Sequence, residues 1–314
     1  MIRRLADPAA EPRALRRAGF EAHGRGPVVM LLHSSASGRR QWRTLAPALA
    51  TRFRVVALDL IGYGETAPWS ERRPQKLSDQ AALVHDAIER VGEPLALVGH
   101  SFGAAVALCA AAELGDRLRG LVLIEPTAFS LLAEAGAADY AEAVWLREAV
   151  TTAAERGDWR VAAARFADYW NGAGAWAAMP EERRASFVRK LEPNLHEWEA
   201  VMGAPAGRYA STVHATTHVI AARNTVAPVA RIVTLLERLR PDWHVSWVER
   251  GGHMAPVTEP GLVDPLVTAA LERLHADAPV PEQGSWAAAR RRARAHARPG
   301  DGAVVHRHRA PHRP

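Results

Sequence analysis

Apolar residues along the chain gather in two kinds of stretch, and the two kinds alternate. The run GPVVMLLH (Gly26 to His33) is short, continuously apolar and opened by Gly and Pro, which predicts a strand buried on both faces. After it, Trp42, Leu45, Leu49 and Phe53 recur on roughly one side of a helical stretch. FRVVALDL then predicts a strand, KLSDQAALVHDAIERVG a helix, LALVGHS a strand, FGAAVALCAAAEL a helix and LRGLVLIEP a strand. Strands alternating with helices predict an α/β architecture: a parallel sheet joined by right-handed crossovers.

Beyond Pro126 the pattern changes to amphipathic helical pieces and loops with no convincing strand. The sheet pattern returns at THVIAARN, followed by a helix with Val229, Ile232, Val233, Leu236 and Leu239 on one face, then HVSWVERGGHM and a last helix carrying Leu262, Leu266, Leu271 and Leu274. No internal repeat is visible. These shifts predict an N-terminal extension over 1–19, an α/β core over 20–126 and 216–276, an inserted helical cap over 127–215 and a tail over 277–314.

Composition changes this picture at the tail. The net charge of +6 invites a nucleic-acid reading, but eight arginines against three acidic residues after position 276 account for most of it. The body is nearly neutral, so no nucleic-acid partner is required, and the Arg/His/Pro-rich tail reads as a disordered, solvated extension. His306 and His308 lack partners at ligand spacing, and no metal or other cofactor is expected. No stretch approaches the roughly 20 apolar residues of a membrane span, and the first twenty residues carry no secretory apolar region. The reading is a cytoplasmic protein acting on a small molecule, with its oligomeric state left open. Cys109 is the single cysteine, which excludes an intramolecular disulfide; it reads as a small core residue.

Chemistry concentrates where LALVGHS meets FGAAVALCAAAEL. Gly99-His100-Ser101-Phe102-Gly103 sets a serine between glycines at a strand-to-helix turn, the G-x-S-x-G context of a nucleophile elbow. A serine hydroxyl needs a base in reach, a group to orient that base, and donors for the developing oxyanion. His253, behind two glycines after the last predicted strand, is the candidate base. The N–H of Phe102, at the start of the new helix, is one candidate oxyanion donor. The other is the N–H of Ser35 in the loop HSSASGRRQW, with Ser34 and Ser37 as alternatives.

With LLHSSASG, DLIGYGET, GHSFG and GGHM in this order, the chain resembles α/β-hydrolase-fold serine hydrolases over approximately residues 20–275. The resemblance implies a mostly parallel, eight-stranded sheet flanked by helices, a helical cap over the site, and cofactor-free hydrolysis through an acyl-enzyme. Two departures stand out. The usual His-Gly of the oxyanion loop is His33-Ser34, and Asn224 stands where family members usually carry the acid of a triad. Asparagine can orient an imidazole but cannot stabilise an imidazolium by charge. Glu125, ending the strand after the nucleophile's helix, supplies a carboxylate from the position that haloalkane dehalogenases are similar in using. The expected triad is Ser101, His253 and Glu125; the alternative leaves the third role to Asn224 and makes Glu125 a cap at the entry to the insertion.

DLIGYG and Trp42 extend the dehalogenase likeness, but a serine at 101 cannot form that family's carboxylate ester, so dehalogenation is disfavoured. Asp59 reads as structural, and Gly62-Tyr63-Gly64 lacks the third glycine of a dinucleotide fingerprint. Within the insertion, Trp145, Tyr169, Trp170, Trp176 and Trp198 read mostly as the cap's own core. YWNGAGAW is the exception, since its glycines predict a loop that hangs Trp170 or Asn171 over the site beside Ser34. The expected activity is hydrolysis of a small or medium, partly apolar ester-like substrate. Lactone or activated carbon–carbon bond cleavage, and a non-catalytic ligand-binding or interaction role, are the alternatives.

Overall fold

The computed structural model describes residues 17–276, so the tail reading, with His306 and His308, lies outside the described residues. Seven strands form one sheet in the order β1-β3-β2-β4-β5-β6-β7. They are β1 (Gly19–His23), β2 (Val28–Leu32), β3 (Arg54–Asp59), β4 (Pro94–His100), β5 (Gly120–Ile124), β6 (Thr216–Ala222) and β7 (His244–Val248). Only β1 runs antiparallel, against β3.

The unbroken apolar runs have a direct cause: alternate residues of each strand enter different cores. Met30, Leu32, Val56, Leu58, Leu97 and Leu121 pack on one face; Val29, Leu31, Val55, Val98, Val122 and Ile220 pack on the other. The second face is covered by α1 (Leu45–Leu49) and the C-terminal helix, through Leu45, Leu49, Val263, Val267 and Leu271. The first face is covered by α2 (Leu77–Val91), α3 (Phe102–Leu114) and a helix after β6. Each fully buried aliphatic side chain contributes about 1.5–3 kcal/mol, so two faces of such residues hold the strand ends rigidly in register. Cys109 is fully buried on α3, and burial pushes its thiol up to about 12.

Between β5 and β6 the chain leaves the sheet for seven helices: α4 (Ser130–Glu134), α5 (Tyr140–Glu155), α6 (Trp159–Asn171), α7 (Ala175–Ala178), α8 (Glu181–Leu191), α9 (Asn194–Met202) and α10 (Ala206–Thr212). The core resumes with α11 (Ala227–Leu239), α12 (Ala255–Thr258) and α13 (Pro260–Ala276). Among the described residues no helix is long and apolar enough to cross a membrane.

Three expectations are corrected, and one strand was not foreseen. Seven strands, not eight, pair among the described residues, and an eighth would have to extend the sheet beyond β1 or β7. GFEAH forms β1 without having been legible as a strand, because three of its five residues face solvent and it has no β-branched residue. The stretch from Trp42 to Phe53 is not one helix: a 3-10 turn (Arg39–Trp42) precedes α1, and Phe53 lies beyond it. YWNGAGAW does not place Trp170 on a loop. Tyr169, Trp170 and Asn171 are the last residues of α6, and Gly172, at φ 95°, ends that helix.

Candidate active site

The nucleophile candidate and its acid candidate extend neighbouring strands. The Ser101 N–H donates to Ile124 O at 2.9 Å, and the Glu125 N–H donates to Ile220 O at 2.8 Å, so each residue continues a parallel ladder by one step. Both then turn sharply, with positive φ of 56° and 49°. Such backbone costs non-glycine residues energy, and it persists because the sheet on one side and a packed helix on the other leave no alternative.

The flanking glycines have separate steric reasons. A Cβ on Gly99 would lie 2.6 Å from Ala104 Cα, and one on Gly103 would lie 2.5 Å from His33 O. The first lets α3 fold back against the end of β4. The second lets α3 pass beside the end of β2 and the loop after it.

His253 is brought to Ser101 from the other end of the sheet. Its Nε2 lies 2.9 Å from Ser101 Oγ, and its Nδ1 lies 3.2 Å from Glu125 Oε2. Glu125 also accepts from the Thr225 hydroxyl and, at 2.5 Å, from the Ala222 N–H. Both of these groups donate to the carboxylate, which in its ionised form can only accept, so the consistent arrangement puts a proton on Nδ1 and leaves Nε2 as acceptor for the Ser101 hydroxyl. Asn224 is elsewhere. Its Oδ1 accepts from the Gly252 N–H at 3.0 Å, bracing the glycine turn that delivers His253 without reaching the imidazole.

Burial dominates the electrostatics. It lowers His253 to about 3, keeping the imidazole neutral, and it raises Glu125 to about 7 against the charge-favouring donors Thr225 and Ala222. His100 is lowered to about 3, first by burial and then by the neighbouring His253. Its Nδ1 accepts from Gln41 Nε2 at 3.0 Å, leaving Nε2–H to donate to the His253 carbonyl at 2.9 Å. Gln41 Oε1 in turn accepts from the N–H of Ser34 at 3.0 Å and from its hydroxyl at 2.8 Å. Ser34 is thus buried in a network tying the loop after β2 to the histidine loop, and it does not line the cavity beside Ser101.

Ser35 and Phe102 both line that cavity, and neither backbone N–H has a hydrogen-bond partner among the described residues. The loop carrying Ser35 is clamped by the cap. Ser35 Oγ donates to Glu197 Oε2 at 2.5 Å, while Tyr63 accepts from the Ala36 N–H and donates to Glu197 Oε1, each at 2.9 Å. Glu197 is buried, which pushes its carboxyl up to about 7. His33 completes the brace: Leu60 N–H donates to its Nε2 at 3.1 Å and its Nδ1 lies 2.8 Å from Ser34 O.

Trp170 covers the site. Its ring centroid lies 4.0 Å from that of His253, and it lines the cavity with Ser101, Phe129, Phe166 and Trp198. That cavity measures about 20 Å³, room for about one water. Asn171 turns its amide back to Ala167 O at 2.8 Å and instead lines a larger neighbouring cleft of about 250 Å³. Trp198 is buried and belongs to the cap's packing, whereas Trp145 is 57% exposed. Asp59 holds the Arg39 guanidinium and accepts from the Glu65 N–H at 3.2 Å, a structural role.

The model of the alpha/beta hydrolase family matches residues 28–266. The chain belongs to this family. Among individual relatives, a protein phosphatase methylesterase 1 from Mus musculus is 34% identical over 115 residues, covering 34% of this chain and 29% of that protein. The chain therefore spans under a third of the length of the first curated relatives it matches. Among solved structures, an enol-lactonase from Burkholderia xenovorans LB400 is similar with a TM-score of 0.67 at 16% identity, covering 82% of this chain and 97% of the other. A thermophilic esterase from Thermogutta terrifontis is similar with a TM-score of 0.66 at 21% identity, covering 82% and 94%.

As an alpha/beta hydrolase family chain, it keeps several site residues out of sight of sequence reasoning. Gln41, Tyr63, His100, Glu197 and Thr225 come from five separate stretches, and Gln41, Glu197 and Thr225 lack a local motif. His100 and Tyr63 do lie inside quoted motifs, as the middle residues of Gly99-His100-Ser101 and Gly62-Tyr63-Gly64, but neither motif reports what the side chain bonds.

Proposed function

We propose that the protein is a serine hydrolase that cleaves a small or medium, partly apolar ester-like substrate through an acyl-enzyme. What carries the reading is the continuous hydrogen-bond chain Glu125–His253–Ser101 beside two unpaired backbone N–H groups. His253 Nε2 takes the Ser101 proton as Oγ attacks the carbonyl carbon, and the N–H groups of Phe102 and Ser35 hold the resulting oxyanion. The tetrahedral intermediate collapses, and the leaving alcohol departs with the proton from His253. Water then attacks the acyl-serine with His253 again as base. Collapse of this second intermediate releases the acid and returns the proton to Ser101.

Glu125 orients the imidazole and stabilises it when it is protonated, the role Asn224 could fill only in part. The cavity over Ser101 holds about one water, so binding requires Trp170 or its neighbours on α6 to move outward. A fluorophosphonate probe tests the reading, with tagging expected at Ser101 and nowhere else. Absence of tagging on the folded chain, or equal tagging of Ser101→Ala, would refute it.

A further inference from the structure

The cleft of about 250 Å³ meets the cavity over Ser101 at Ser35, Phe166 and Trp170, which line both. Arg40 lines it from the 3-10 turn and Arg43 from the residue just after that turn, and Arg183 and Lys190 line it from α8. No Asp or Glu lines it. These four side chains have no ion-pair or hydrogen-bond partner among the described residues, in contrast to their sequence neighbours. Arg39 is held by Glu21, Asp59 and Glu65, and Arg184 by Glu181 and the Ala177 carbonyl. All four are exposed, so they stand as unneutralised cations around the rim of one concavity.

Four cations gathered around one cleft, with no acidic residue lining it, make its potential positive and favour an oxyanion there. We propose that this cleft is an anion subsite: the substrate carries a carboxylate or phosphate near its scissile carbonyl, seated by Arg40, Arg43, Arg183 and Lys190. This rests on the serine-hydrolase reading and narrows its substrate class. The apolar part of the substrate then faces Phe166 and Trp170, and the charged part enters last or stays at the mouth. Guanidinium forks suit both oxyanions, so the two sources are separated by experiment.

Matched substrate pairs test the proposal at low salt. They are 4-nitrophenyl hemisuccinate against its methyl ester, 4-acetoxybenzoate against its methyl ester, and 1-acetylglycerol 3-phosphate against 1-acetylglycerol. The expected result is a tenfold or greater kcat/KM advantage for the anionic member of at least one pair, expressed mainly in KM and shrinking as salt rises. The pair that shows it identifies carboxylate or phosphate. In the double variant Arg183→Gln/Lys190→Gln the advantage should fall to within twofold.

Equal turnover of both members in every pair would overturn the anion subsite and leave the hydrolase reading standing. A second measurement does not depend on the substrate panel. Succinate or inorganic phosphate should slow fluorophosphonate labelling of the wild type more than sodium chloride of equal ionic strength does, and should not do so in the double variant. Protection equal to that by chloride would sink the proposal, whereas absence of labelling in buffer with neither anion added would sink the hydrolase reading beneath it.

Discussion

Glu125→Gln is the most informative perturbation of the site. The carboxylate accepts from Ala222 N–H on one oxygen and from Thr225 and His253 on the other, and it donates to nothing. Glutamine keeps one acceptor oxygen and gains an NH2 group. If its oxygen stays on Ala222, the NH2 faces His253 Nδ1 and favours the tautomer with its proton on Nε2, which cannot take the Ser101 proton. If the amide flips, the NH2 meets the Ala222 N–H, and a buried donor loses its partner at about 1–3 kcal/mol. The wrong tautomer costs roughly 10⁴ in rate, about 5 kcal/mol of transition-state stabilisation. The assay is the second-order rate of fluorophosphonate labelling at Ser101, which needs no knowledge of the substrate, followed by ester turnover. Asn224→Ala, which removes only the brace to Gly252, should stay within tenfold of the wild type. A folded Glu125→Gln protein that labels within tenfold of the wild type, or that outperforms Asn224→Ala, would refute the assignment.

Activity should rise with pH through about 7, because ionised Glu125 is the form that accepts a hydrogen bond from Nδ1–H and its carboxyl is raised to that range by burial. A pH profile of labelling that is flat between 5 and 9 would contradict this. Thr225→Val removes a donor that favours the carboxylate, so the rising limb should move to higher pH, with Glu197→Gln as the control for the other raised carboxyl nearby. Glu197→Gln leaves one acceptor oxygen for the hydroxyls of Ser35 and Tyr63, and a denaturant melt should show roughly 1–3 kcal/mol of lost stability. Gly103→Ala forces the backbones of α3 and the end of β2 apart; overpacking of this kind costs typically about 1–3 kcal/mol or more, read as a fall in Tm of several degrees.

Much of this protein is written locally. Continuous apolar runs identify strands covered on both faces because each strand feeds two cores, and the glycines around Ser101 report a turn too tight for a Cβ. Glu125 is legible as a strand-end carboxylate because parallel strands present their C-terminal ends at one edge. The edge strand Gly19–His23 is not legible, since half-exposed residues without β-branching carry little pattern. For the group beside His253, the sequence favours Glu125 over Asn224 by charge but cannot decide the choice by position. That choice depends on which side chain lies beside His253 Nδ1 once the β6 and β7 loops have packed, a matter of ångströms that no spacing encodes. The same holds for Glu197 against Ser35 and for the unpaired cations of the outer cleft: residues 162 positions apart become neighbours only when the cap closes onto the core. Local periodicity determines which elements form, because it needs only a chain and water. Partner choice among buried polar groups is decided by tertiary packing, because only there does each donor meet its acceptor.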